Sequence, residues 1–232
     1  PQNPKTPGIS ALNNNLIMHM TTVALLVAAA NAFSNNVPVY GTYPGWGVGS
    51  GRTGISVEIY LDLLCSDSQA NNPIWEELLA TPWLDGTVQD QVFWHYTNVP
   101  LPYHVHAFQV GQVVPYLQYL CAVDANQCGA LDQYKDFCYE QLDTVLSWTD
   151  VSQDDFIAQW SQMVAEELSI DEQTILGLYD RDTDIYNTNM NVRAMWKYAT
   201  SKGVSGTPTA YINGVRLDSM PSSVHQWLNY LQ

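Results

Sequence analysis

From Ile55 to Leu64 the chain reads Ile-Ser-Val-Glu-Ile-Tyr-Leu-Asp-Leu-Leu. β-Branched and apolar side chains dominate this run, as they do in a buried central strand. It leads straight into Cys65-Ser66-Asp67-Ser68, and a helix is predicted from there through Glu76-Glu77-Leu78-Leu79. Pro73 inside that helix predicts a kink or a late start, and Pro82 ends it. Gln91-Val-Phe-Trp-His-Tyr-Thr-Asn-Val99 reads as a second strand. A buried strand needs a core around it, and the composition supplies one: of 232 residues, 46% are hydrophobic and 12% aromatic.

Charge narrows the function classes. The chain carries 23 Asp+Glu against 8 Lys+Arg, a formal net charge of -15, although only 13% of residues are charged. Such a balance repels phosphate backbones and anionic lipid, so neither nucleic acid nor a membrane surface is an expected partner. The aromatic content separates the chain from disordered acidic tails.

From Ala107 to about Gly203 the pattern is helical. Val110, Val113, Val114, Leu117, Leu120 and Cys121 recur at i, i+3, i+4 spacing, as do Phe156, Ile157, Trp160, Val164 and Leu168. The acid-rich Ser152–Asp155 segment marks a helix start. Ile185 to Ser201 reads as a further helix. After it come Gly206-Thr207-Pro208-Thr209, a strand Ala210–Asn213, a turn at Gly214, a short strand Val215–Leu217 and a final helix Ser222–Leu231. Asn213-Gly214 is a strong hairpin signal. The order is β-α-β, a helical insertion, then β-β-α.

At the other end, the apolar run Val23–Ala30 followed by Ala30-Asn31-Ala32 fits a secretory signal with cleavage before Phe33. The run is too short to span a bilayer, which takes about 20 apolar residues. Residues 1–32 are therefore expected to be a leader and signal peptide, leaving no membrane segment after processing. Residues 33–54, rich in Gly, Pro, Asn and Tyr, read as an extended arm outside the core. Its Tyr40–Trp46 stretch is a candidate docking segment for a partner. Gly45, Gly47, Gly49, Gly51 and Gly54 precede a strand instead of following one, so they make no dinucleotide fingerprint, and no Lys-Ser/Thr completes a P-loop. No cofactor is expected.

The secretory route places four cysteines in an oxidising compartment: Cys65, Cys121, Cys128 and Cys138. There is no Cys-x-x-Cys and no Cys/His grid, so no metal site is expected, and His95, His104 and His106 lack acid or thiol partners at ligand spacing. One disulfide is expected within the 121–138 cluster, with its pairing open and Cys65 free.

In landmark order the chain resembles the thioredoxin-fold superfamily, and within it the DsbA-like branch with a helical subdomain inserted in the core. The residues that carry the resemblance are the strand ending at Leu64, Cys65 at the following helix start, Gly206-Thr207-Pro208-Thr209, and the Tyr211-Ile212-Asn213-Gly214 hairpin. It is also similar to secreted eukaryotic members, where Cys-Pro-Asp-Ser and Leu-Pro-Tyr-His stand in place of Cys65-Ser66-Asp67-Ser68 and Leu101-Pro102-Tyr103-His104. The resemblance implies a core of residues 55–106 and 204–232 around an insertion at 107–203. It further implies a cis Pro208 lying against Cys65, with the backbone of Thr207 free to pair with an extended substrate.

A helix N-terminus favours thiolate over thiol, and Cys65 stands at such a place. A dithiol cycle needs a second cysteine three positions on, where this chain has Ser68. A net oxidase or reductase cycle within the motif is therefore excluded. Attack on a substrate disulfide, with another substrate thiol resolving the intermediate, is still open. His104 or His106, on the active-site side in that family, is a candidate to hydrogen-bond the Cys65 sulfur. Two functions follow as alternatives, each with a protein or peptide partner. One is a secreted or luminal thiol-exchange or isomerase-like protein using Cys65, Ser68, Thr207, Pro208 and His104. The other is a redox-silent binding or structural component of an extracellular, luminal or organellar assembly, with a covered sulfur and a docking patch near residues 37–48.

Overall fold

The structure is a computed structural model that describes residues 43–232. The leader at 1–32 and the arm as far as residue 42 lie outside the described residues. Strand β2 (Ser56–Leu61) is central in a five-stranded sheet, with β5 (Phe93–Asn98) and then β1 (Trp46–Val48) on one side and β6 (Thr209–Ile212) and then β7 (Val215–Arg216) on the other. It runs parallel to β5 and antiparallel to β6, which forms a hairpin with β7. Its alternation explains its position. Val57, Ile59 and Leu61 enter the main core with Trp75, Leu78, Trp94 and Trp227, while Tyr60 packs on the opposite face with Val99, Ala199, Val204 and Tyr211. Both faces are covered, so the strand reads as almost continuously apolar.

Helix α1 (Ser66–Ala80) starts directly after Cys65. Pro73 lies inside it and is exposed, so the missing hydrogen bond falls on the solvent side, while Trp75, Leu78 and Leu79 bury the other face. The helix neither starts late nor stops at the proline. Strands β3 (Pro82–Trp83) and β4 (Gly86–Thr87) make a small hairpin. Next, α2 (Val88–Gln91) takes residues that the sequence pattern gives partly to a strand. Thr87 and Asp90 form a reciprocal capping box there, and β5 consequently begins at Phe93.

The expectation of an arm outside the core is corrected over its described part. Trp46–Val48 forms β1, antiparallel to β5, and Trp46 is only 5% exposed. Tyr43 packs against His95 with ring centroids 4.3 Å apart and accepts a 2.8 Å hydrogen bond from Thr97. Tyr43 and Trp46 are thus committed to the fold and do not form an exposed docking segment, while Tyr40 lies outside the described residues.

Between β5 and β6 come α3 (Ala107–Gly111), α4 (Val113–Val123), α5 (Gly129–Glu140), α6 (Leu142–Leu146), α7 (Gln153–Leu168), α8 (Glu172–Gly177) and α9 (Thr188–Ser201). Phe156, Trp160, Tyr134 and Phe137 make the aromatic centre of this block. Ser152 caps α7 by accepting from the Asp155 N–H. Helix α9 begins three residues later than the periodicity predicts, because Asp184 accepts from both the N–H and the hydroxyl of Thr188 and leaves Ile185 84% exposed. Cys121 and Cys128 are joined in a disulfide that bridges the end of α4 to the start of α5. Helix α10 (Val224–Leu231), capped by Ser223, closes the chain against α1. Among the described residues no helix is long and apolar enough to cross a membrane.

Candidate functional site

At the end of β2 the chain turns through Asp62-Leu63-Leu64. The Asp62 carboxylate accepts from the Leu64 N–H at 2.8 Å, and its carbonyl accepts from the Cys65 N–H at 3.1 Å. This turn puts Cys65 in the N-cap position of α1, with extended φ -99 and ψ 122 and no side-chain cap bond. The first-turn amides of α1, having no intrahelical acceptors, therefore face the cysteine end of the helix. The thiol donates to the Thr207 carbonyl at 3.4 Å, and the Thr207–Pro208 peptide is cis. The site thus joins the first half of the core to the second at one point. Cys65 as a whole is only 6% exposed.

Ser68 faces inward from the first turn of α1 and is fully buried. Its hydroxyl, like that of Thr207, finds no hydrogen-bond partner among the described residues. The other free cysteine, Cys138, is fully buried in the helical block, and burial pushes its thiol well above the usual range. It is inert as a nucleophile in the folded chain.

Among the described residues no histidine hydrogen-bonds the Cys65 sulfur, whose partner is the Thr207 carbonyl. His104 instead donates through Nδ1 to Asp62 at 2.7 Å. His106 reaches the Trp148 carbonyl at 3.2 Å and stacks on Phe156 at 3.9 Å. His95 sits between Tyr43 and Phe93, where burial lowers its pKa against the opposing pull of Glu58. The physical reason lies in Asp62, which outcompetes a thiol for His104 because a carboxylate is the stronger acceptor. No group of three His, Cys, Asp or Glu placed to hold a metal occurs among the described residues.

Asp62 is the residue that sequence reasoning passed over. It is fully buried and accepts from the Leu64 N–H, the Leu101 N–H and His104 Nδ1. It therefore ties the cysteine turn to the Leu101-Pro102-Tyr103-His104 loop. An acid among Leu61, Leu63 and Leu64, three residues before the cysteine, was the available signal. A second clamp holds α1 to the helical block. Gln69 donates to the Tyr139 carbonyl at 2.6 Å, and the buried Lys135 ammonium bonds Asn72, Glu76 and Asp136.

The fold is similar to known structures. A candidate protein-disulfide isomerase from Pseudomonas syringae superposes with a TM-score of 0.59 at 17% identity, over 80% of this chain and 97% of its own. BdbD from Bacillus subtilis, in its oxidised form, gives 0.58 at 13% identity, over 81% of this chain and 91% of its own. The fold is the DsbA-like thioredoxin fold. MdbA from Actinomyces oris, a thiol-disulfide oxidoreductase, gives 0.54 at 12% identity, over 80% of this chain and 84% of its own. Neither a protein-family model nor a curated protein sequence matches the chain. At these identities the likeness speaks for the fold alone.

Proposed function

We propose that this protein is a single-cysteine thiol-disulfide exchange protein acting on protein or peptide disulfides. The observation that carries the reading is the position of Cys65, N-capping α1 with its sulfur on the Thr207 carbonyl beside Pro208. The Cys65 thiolate attacks one sulfur of a substrate disulfide, forming a mixed disulfide and releasing the other sulfur as a thiolate. With serine at position 68, no thiol of the motif resolves that intermediate. A second thiol of the substrate does so, regenerating the Cys65 thiolate and leaving the substrate with a rearranged disulfide. No net oxidation or reduction occurs, which is isomerase-like chemistry. Thr207 would pair with the extended substrate, as this reading has it, and His104 would act through Asp62. The Cys121–Cys128 disulfide supports work in an oxidising compartment such as a secretory lumen or the extracellular space.

The test is adduct formation with oxidised glutathione, read by intact mass. One glutathione per chain is expected, on Cys65, with release of one reduced glutathione. Cys65→Ser should abolish it and Cys138→Ser should not. If no adduct forms until the protein is unfolded, the exchange reading falls. The redox-silent alternative then stands, and the observation favouring it is the 6% exposure of Cys65.

A further inference from the structure

Beyond β5 the chain runs through Pro100-Leu101-Pro102-Tyr103-His104 before entering α3. Two bonds to Asp62, from the Leu101 N–H and from His104 Nδ1, pin this loop from beneath. Its outer side chains are left without cover, and Val105 is 65% exposed. Opposite stands α9, whose Arg193 and Trp196, three residues apart, share one helix face. Between loop and helix lies a cleft of about 380 Å³, walled by Leu101, His104, Val105, Phe108, Arg193 and Trp196. That volume is in the range of small-ligand sites, roughly 300–1,000 Å³.

Two of these side chains stand exposed at the cleft. Trp196 is 44% exposed although it borders an apolar wall. Arg193 makes no ion pair and no hydrogen bond among the described residues, in a chain with 23 acidic residues. A guanidinium left unneutralised at an apolar cleft is complementary to a ligand that carries one negative charge on an apolar body. His104 adds a second polar edge, since only its Nδ1 is engaged.

We propose that this cleft binds a small organic anion, an aromatic or branched aliphatic carboxylate. Its apolar body lies between Phe108 and Trp196, and its carboxylate pairs with the Arg193 guanidinium in the two-pronged geometry that arginine favours. The site makes no use of Cys65, so it stands or falls separately from the exchange reading.

The test uses the full chain and two probes of equal shape, 2-naphthoate and neutral 2-naphthamide, titrated by calorimetry. The carboxylate should bind at least about tenfold more tightly, a difference of about 1.4 kcal/mol. In Arg193→Gln the two probes should become equal, with naphthamide affinity unchanged as the check that the cleft has kept its shape. Trp196→Ala should weaken both probes, and Cys65→Ser should alter neither. Equal binding of the two probes to the unaltered chain would overturn the proposal. So would a carboxylate preference that survives Arg193→Gln, or no heat for either probe at about 1 mM. A peptide ending in naphthylalanine that binds far better than naphthoate would reassign the cleft to a peptide partner and overturn the small-ligand assignment.

Discussion

Replacing Asp62 by asparagine keeps the shape of the side chain and removes its charge. In the native turn one oxygen accepts from the Leu64 N–H while the other accepts from the Leu101 N–H and His104 Nδ1, all within a fully buried site. Asparagine offers one carbonyl oxygen for these three donors, and its NH₂ must face at least one of them. The less costly orientation keeps the oxygen on Leu101 and His104 and sets NH₂ against the Leu64 N–H. One buried donor then lacks an acceptor, at about 2 kcal/mol, and two bonds lose their charge assistance, for a total near 3 kcal/mol. With a urea slope of about 2 kcal/mol/M, the unfolding midpoint should fall by about 1.5 M. Tryptophan fluorescence in urea measures this. The same loosening acts on the Leu64–Cys65 turn. If about half of the loss falls on local opening, native-state alkylation of Cys65 should accelerate about tenfold. Peptide mass mapping assigns the label. A midpoint shift below about 0.5 M, together with an unchanged alkylation rate, would refute the assignment of Asp62 as the hub of the site.

Further outcomes follow from other parts of the fold. Removing the Cys121–Cys128 bond with serines frees a short loop of sequence separation 7 and should cost about 2 kcal/mol, read as a lower urea midpoint in the double variant. Lys202→Met strips the buried Glu58 carboxylate of its ammonium partner; because Lys202 is partly exposed, the loss should be about 2 kcal/mol, below the 3–5 kcal/mol of a fully buried pair. Desolvation lowers the Lys202 pKa, but bonds and attraction to Glu58 and Tyr198 together raise it, and burial raises that of Tyr60. Groups raised in the folded state lend stability that is complete below their unfolded values and lost as pH climbs. Unfolding midpoints should therefore fall above about pH 10, and less steeply in Lys202→Met; a flat profile to pH 11 would count against this cluster. Cys138→Ala should leave glutathione adduct formation unchanged, as the intact-mass assay will show.

The elements legible in the sequence were those whose signal is local. The run through β2, the β6–β7 hairpin with Asn213-Gly214, and the Ser152 cap each carry their cause within a few residues. What escaped depends on distant partners. Three residues, Trp46–Val48, form a strand only because β5 offers them an edge, and no periodicity can show in so short a span. The start of α9 is set by Asp184, a side-chain cap indistinguishable in sequence from any loop acid. His104 is legible, with His106, only as a candidate partner of the Cys65 sulfur, and the acceptor that holds its Nδ1, Asp62, is buried at the neighbouring strand end. The Arg193 cleft joins residues nearly a hundred positions apart and left no local trace.

Between the two functional readings, the deciding quantity is how easily the cysteine turn opens. A thiol is a weak donor, so the contact from Cys65 to the Thr207 carbonyl at 3.4 Å gives little resistance. The resistance comes from the backbone around it. The Leu64 N–H is held by a buried carboxylate that also holds the Leu101-to-His104 loop, so uncovering the sulfur by opening the turn itself means disturbing Asp62. A substrate that pairs with the Thr207 backbone would compete for the carbonyl that Cys65 now uses and free the thiol without breaking the Asp62 hub. On that argument the covering of Cys65 gates exchange without forbidding it: reactivity should rise when an extended peptide occupies the Thr207 edge. A rigid, silent protein would show no such coupling.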